Sequence, residues 1–81
     1  MLLVSKDKDA IVDLDHVALT IEQDGAIWQI LATPYGSDLT TSYILNEYYS
    51  KEDALTELGY ALRAYALKDS MYGFGIGGNE E

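Results

Sequence analysis

The sequence predicts an α+β domain: a small antiparallel sheet of four to five strands packed on one C-terminal amphipathic helix. Three observations carry this expectation. An Asp24-Gly25 pair, a preferred hairpin turn, is flanked on both sides by residues that alternate apolar and polar. The stretch Tyr43 to Tyr49 is rich in the aromatic and branched residues that favour strands. Beyond Ser50, apolar residues recur at steps of three and four, the period of a helix with one buried face.

Taken in order, Leu2-Leu3-Val4 is a short apolar run closed by the charged turn Ser5-Lys6-Asp7-Lys8-Asp9, and Ala10-Ile11-Val12 begins a second strand. Asp13 to His16 reads as a bend or single turn. A hairpin from Val17 to Thr33 follows. With Asp24-Gly25 as a two-residue type I′ turn, Gln23 pairs with Ala26, Ile21 with Trp28, Leu19 with Ile30 and Val17 with Ala32. The last six of these residues share one apolar face, which leaves Ala18, Thr20 and Glu22 beside Ile27, Gln29 and Leu31 on the other. Trp28 is then expected to be a core anchor beneath the helix.

Pro34 cannot donate to a ladder, so the strand ends there, and Pro34 to Asp38 reads as a turn. The next strand is expected over Thr41 to Tyr49. Its inward face is either Leu45 with Tyr49 or Ile44 with Tyr48, unless a bulge brings in some of each. Ser50 is the expected N-cap of the helix, with Glu52 and Asp53 at the dipole-favoured end and Arg63 and Lys68 late in the helix. Leu55, Leu58, Leu62 and Tyr65, widened by Ala54, Ala61 and Ala66, form the stripe expected to cover the sheet. Gly59 interrupts that helix, which implies close approach of another backbone. Residues 1–70 are therefore assigned to one domain, and 71–81, glycine-rich and acidic at the end, to a flexible tail, from which removal of residues 73–81 should leave the melting temperature nearly unchanged.

Function is bounded more by exclusion than by motif. With 81 residues there is room for one core, and the absence of cysteine removes disulfides and Cys-based zinc sites as staples, which suits a cytoplasmic setting. Association into a homodimer is another way to bury more surface. No stretch approaches the roughly 20 apolar residues needed to span a bilayer, and Met1 is followed at once by apolar residues with no basic segment before them, so neither membrane insertion nor export is expected. Fourteen acidic residues against five basic ones give a net charge of −9, which disfavours direct nucleic-acid binding.

Catalytic and metal chemistry find few candidates. A single histidine, His16, could pair with Asp13 or Asp15, although a histidine in a surface turn is far commoner than a catalytic one. The carboxylates Asp7, Asp9, Asp13 and Asp15 lack the turn glycine and closing Glu of a calcium loop and read as solvated charge. Gly73 to Gly78 follows a helix instead of opening one, the wrong order for a phosphate cradle. No enzyme activity, cofactor or metal is expected. Seven tyrosines in so short a chain are too many to bury beneath one helix, and partly exposed tyrosine is enriched at protein interfaces.

The runs Val4-Ser5-Lys6-Asp7, Ile11-Val12-Asp13-Leu14-Asp15-His16-Val17 and Leu45-Asn46-Glu47-Tyr48, with Glu52 and Ala54, resemble a recurring group of small uncharacterised proteins from Firmicutes genomes and their prophages. The resemblance covers roughly residues 2 to 66, with Asn46 where glycine is commoner. It implies a sheet-plus-helix domain in a phage or mobile-element setting and brings no catalytic or binding residue with it. Together with the acidity, it leads to the expectation of a non-enzymatic protein-interaction module: an acidic inhibitor of a basic, nucleic-acid-binding host protein, for example an anti-CRISPR acting on a defence nuclease. The expected contacts are Glu22, Asp24, Glu47, Tyr48, Tyr49, Glu52, Asp53, Glu57 and Tyr60. A structural or regulatory homodimer and a small-ligand binder built on His16 are the competing expectations.

Overall fold

The computed structural model describes residues 1–36 and 42–75. Along the chain it forms β1 (Leu2–Val4), β2 (Ile11–Asp13), a single 3-10 turn (Leu14–His16), β3 (Val17–Asp24), β4 (Ile27–Pro34), β5 (Tyr43–Tyr48), α1 (Lys51–Ala66) and β6 (Met71–Gly73). The α+β class is as the sequence predicts. The strands, however, divide into two three-stranded sheets, β2-β1-β6 and β3-β4-β5, and β6 follows the helix to lie parallel beside β1.

The hairpin keeps its predicted faces but not its predicted register. Its loop is Gly25-Ala26, closed by Asp24 and Ile27, so Ile21 pairs with Ile30 and Trp28 with Gln23. The cause is backbone geometry at the turn. Gly25 has φ +63, whereas Ala26 is not among the residues with positive φ. Glycine at the first central position alone is the requirement of a type II′ turn, while type I′ needs positive φ at both. A shift of two residues preserves side-chain parity. Val17, Ile30 and Ala32 therefore point into the core as expected, with Leu19, Ile21 and Trp28 packed at its margin. Trp28 is only half-buried and carries the Lys51 ammonium 5.6 Å from its ring centroid.

On the other side of β4, Ile30 pairs with Asn46 and Leu31 with Ile44, leaving Leu45 as the extra residue of a bulge. The bulge turns both Leu45 and Asn46 inward, and Tyr48, opposite Trp28, follows them. Each of the two inward faces open to the sequence thus supplies one member. Thr41, at the start of the predicted strand, lies outside the described residues.

α1 begins as predicted, with the Ser50 hydroxyl accepting from the Asp53 amide at 3.1 Å. Its inward face differs from the expected one. Ala54, Glu57, Ala61 and Ala64 are buried, whereas Leu55 is 49%, Leu62 58% and Tyr65 50% exposed. The leucine stripe is turned about one side chain away from the sheet, with only Leu58 half-buried against the core. Small residues let the helix sit close on strands already filled by Ile30, Leu45 and Phe74. A side chain at Gly59 would meet nothing within 4 Å, so the expected close approach is absent within this chain. The cost of about 1 kcal/mol for a helical glycine has no return here.

The helix ends because Lys68 adopts φ +64 while its amide donates to the Tyr65 carbonyl and the Asp69 amide to the Ala64 carbonyl. This pair of bonds is a Schellman cap, with lysine where glycine would be unstrained. The chain then reverses. The Leu2 amide donates to the Ser70 carbonyl at 2.8 Å and the Phe74 amide to the Val4 carbonyl at 2.9 Å, locking β6 against β1. Phe74 is 0% exposed and stacks edge-on with Tyr72, ring centroids 5.1 Å apart. Residues 71–75 are accordingly part of the folded domain and not of a flexible tail. The aromatic pair outweighs the entropic cost of the neighbouring glycines. Residues 76–81 lie outside the described residues.

Two outcomes follow for stability. Phe74→Ala removes a fully buried ring and is expected to cost about 3–5 kcal/mol in urea unfolding. Truncation after Ser70 should lower the melting temperature by more than that single substitution, and an unchanged melting temperature would place Phe74 outside the core. Lys68→Gly should raise stability by about 0.5–1 kcal/mol by relieving the left-handed residue.

Candidate partner-binding surface

Two of the nine expected contact residues prove to be internal. Glu57 is 8% exposed, and its carboxylate accepts four hydrogen bonds, from Asn46 Nδ2 (3.0 Å) and the Tyr48 hydroxyl (2.6 Å) on one oxygen and from the Tyr72 hydroxyl (2.9 Å) and the Gly75 amide (3.1 Å) on the other. Four donors satisfy a buried charge that would be costly alone. They come from β5, from β6 and from the residue after Phe74, so one side chain of α1 ties the two sheets together. Glu57 therefore belongs to the core and not to a contact surface. Tyr48 belongs to it too, through a half-buried ring whose hydroxyl points inward.

The environment acts on the phenols. Burial, followed by the hydrogen bond to Glu57 and its charge, holds Tyr48 well above the ordinary phenol range, and the same causes in the same order raise Tyr72. Both remain donors far into alkaline solution. The bulge residue Asn46 completes the node, because its Oδ1 accepts from the Glu47 amide at 2.8 Å while its Nδ2 donates to Glu57.

The other seven expected contacts are exposed, but they occupy separate places. Glu22 and Asp24 lie on β3 near the hairpin tip, Glu47 on β5, Tyr49 just beyond β5 at 90% exposure, and Glu52, Asp53 and Tyr60 on α1. The sheet register decides which of them meet. Glu22 is opposite Gln29, and Gln29 is opposite Glu47, so the three form one row across the solvent-facing side of β3-β4-β5. Gln29 Nε2 donates to Glu47 at 3.1 Å within that row. Asp24 and Ile27 form the next pair towards the tip, and Leu31 with the exposed Ile44 forms an apolar row behind it. Tyr60, Glu52 and Asp53 belong to the helix layer, against the opposite face of this sheet, and do not join the row.

The remaining candidates have structural work. Asp13 caps the 3-10 turn through the Asp15 amide at 3.0 Å and stands 3.7 Å from the N-terminal ammonium. The Asp15 amide first, with smaller contributions from that ammonium and from His16, holds its carboxyl below the usual carboxylate range. His16 is exposed at the end of the same turn. Asp9 accepts from the Ser5 hydroxyl at 2.7 Å, which fixes the Ser5–Ala10 turn. Among the described residues no three His, Cys, Asp or Glu side chains converge where they could hold a metal. A cleft of about 390 Å³ lies between that turn and the end of β5, lined among others by Lys6, Asp7, Glu47 and Tyr49. No described helix is long and apolar enough to cross a membrane.

No family model matches the chain, and neither a curated protein nor a solved structure matches it.

Glu57→Ala should cost about 3 kcal/mol or more in denaturant unfolding, since it leaves four donors without an acceptor. Glu57→Gln should fall between that variant and the native chain. Alkali tests the same node. The two phenols are raised in the folded chain above the 10.0 of an unperturbed tyrosine. The folded state thus binds their protons more tightly, and the stability they contribute is complete below pH 10 and is lost as pH rises beyond it. The melting temperature should fall steeply above pH 10, and this fall should flatten in the Tyr48→Phe, Tyr72→Phe double variant.

Proposed function

We propose that this chain is a non-enzymatic protein-interaction module that presents carboxylates on the open face of a sheet to a basic protein surface. The observation that carries this reading is the register row Glu22–Gln29–Glu47, with Asp24 beside it at the hairpin tip. Among the described residues the one ion pair is between the N-terminus and Asp13, so these acids are not neutralised by side-chain cations of their own chain. Held on paired strands, they keep a fixed spacing instead of moving independently, which favours recognition of a complementary surface. Exposed Ile44 and Tyr49 adjoin the row and supply the apolar and aromatic contact area from which most affinity comes.

The sharper form of the proposal concerns the partner. A basic groove that normally receives phosphates is the protein surface best matched by a rigid row of carboxylates in a chain of net charge −9. Occupying such a groove would inhibit a nucleic-acid-binding protein without any chemistry, as an inhibitor of a host defence nuclease would.

The test compares the native chain with the triple variant Glu22→Lys, Asp24→Lys, Glu47→Lys as baits in affinity capture from the source cells at low and high salt. Basic proteins should be retained by the native bait at low salt, released at high salt, and missed by the variant. Circular dichroism must show the variant folded. A partner held equally by both baits, with no salt dependence, overturns the reading.

A further inference from the structure

The two edges of the β3-β4-β5 sheet are treated very differently. Along β5 the Leu45 carbonyl accepts from the Lys6 amide at 2.8 Å, and the Glu47 amide is taken by its neighbour's Asn46 Oδ1. With the bulge at Leu45, this edge is closed to further strands. β3 has none of these protections. It is eight residues long, pairs with β4 without interruption, and contains neither proline nor lysine.

Its hydrogen-bonding groups can be assigned from the turn. The loop closes on the Asp24–Ile27 pair, and bonded pairs alternate from there through Glu22, Thr20 and Ala18. The Tyr35 amide, donating to the His16 carbonyl at 3.1 Å, continues the same series. The amides and carbonyls of Val17, Leu19, Ile21 and Gln23 therefore point away from β4, and no backbone hydrogen bond among the described residues reaches them. At the centre of this edge stands Thr20, whose buried Oγ1 has no hydrogen-bond partner.

The helix layer above the edge is also incomplete. Glu57 reaches towards β5 and β6, so the flank of α1 on the other side of its buried face, carrying Leu55, Leu58 and Leu62, is turned to the β3 side. Leu55 and Leu62 are about half exposed there.

From these features we infer that β3 and the leucine flank of α1 form a homodimer interface, in which β3 pairs antiparallel with β3 of a second copy about a two-fold axis at Thr20. In this register Leu19 stands opposite Ile21 of the second copy and extends both cores, while the two Thr20 side chains face each other. Rotation about χ1 then brings their hydroxyls within reach of one another. The acids are kept apart: Glu22 faces Ala18, and Asp24 comes to the neighbourhood of His16. A register shifted towards the tip would instead crowd Glu22 and Asp24 around the axis. Above the strands the two helices meet along their leucine flanks.

The area is of the right order for a second copy. An eight-residue strand is about 27 Å long, and the molecule is 21 Å across its shortest dimension. The strip they define is about 570 Å² in projection, close to the roughly 600 Å² per partner at the lower end of stable interfaces. Glu22 and Asp24 lie on β3 but project from its solvent-facing side, so pairing along the strand's edge leaves the carboxylate row open and either proposal can fail without the other.

The chain lacks cysteine, which makes a single introduced thiol a clean reporter. Light scattering of the native chain should give twice the 9.0 kDa chain mass. Thr20→Cys should form a covalent dimer on mild oxidation, because a pair on the axis stands opposite itself, whereas Ala18→Cys should not. Leu62→Lys and Leu55→Lys should each raise the dimer dissociation constant at least about tenfold with unchanged circular dichroism. A native chain that stays monomeric from micromolar to millimolar concentration overturns the inference. So does a dimer that Ala18→Cys cross-links as readily as Thr20→Cys, or one that both helix variants leave intact.

Discussion

The Glu57 carboxylate is the constraint on which the rest of the structure depends. Neither three-stranded sheet is large enough to hold a core alone, and the helix that covers both presents mostly alanine to them. Alanine packs closely but buries little area, so the layers need a further link. Four hydrogen bonds to one buried side chain provide it, drawn from β5, from β6 and from the backbone beyond Phe74. Direction is what these bonds add to burial. They set how far α1 rotates about its axis, and that rotation decides which residues are internal and which face out.

Several features of the chain reflect this one node. The bulge at Leu45 brings Asn46 inward, where its amide can reach Glu57 while its other end closes the β5 edge. Gly75 sits at φ +73, which favours glycine, a Cβ there would stand 2.9 Å from Lys6 Cγ, and its amide is one of the four donors. The leucines of α1 face outward for the same reason: turning them in would swing Glu57 away from both tyrosines.

Much of the fold was legible in the sequence, and the exceptions have physical causes. The hairpin faces were readable because parity survives a two-residue slip, whereas the register was not, since Asp24-Gly25 and Gly25-Ala26 both offer glycine a positive φ and only the backbone chooses between them. The inward face of α1 was not legible from residue size, because the large side chains of this helix are not its buried ones. Ala54, Ala61 and Ala64 also recur at helical spacing, and Glu57 lies among them as the one acid on a face of small residues, a pattern that could have marked it as internal. β6 carried almost no signal, since three residues amid glycines show no period, and a parallel partner nearly seventy positions away leaves no local trace. Of the candidate surface, the acids Glu22 and Glu47 were legible as types. Their alignment through Gln29 was not, because it depends on the register.

The parallel pairing of β1 with β6 also has a kinetic side. Leu3 is matched with Tyr72, so the contact that seals the core joins segments separated by almost the whole described chain, while the β3–β4 hairpin needs only its own two-residue loop. Loops of such unequal length close at very different rates, and the hairpin is complete long before β1 finds its partner. Until then Leu3 has a neighbour on one side alone, Val12 of β2, and Glu57 lacks two of its donors, Tyr72 and the Gly75 amide. The same order run backwards makes β6 the natural first element to detach. Its departure would uncover a hydrophobic strand and a half-satisfied carboxylate in a single event, a partly open form in which the chain is most exposed to proteases and to aggregation.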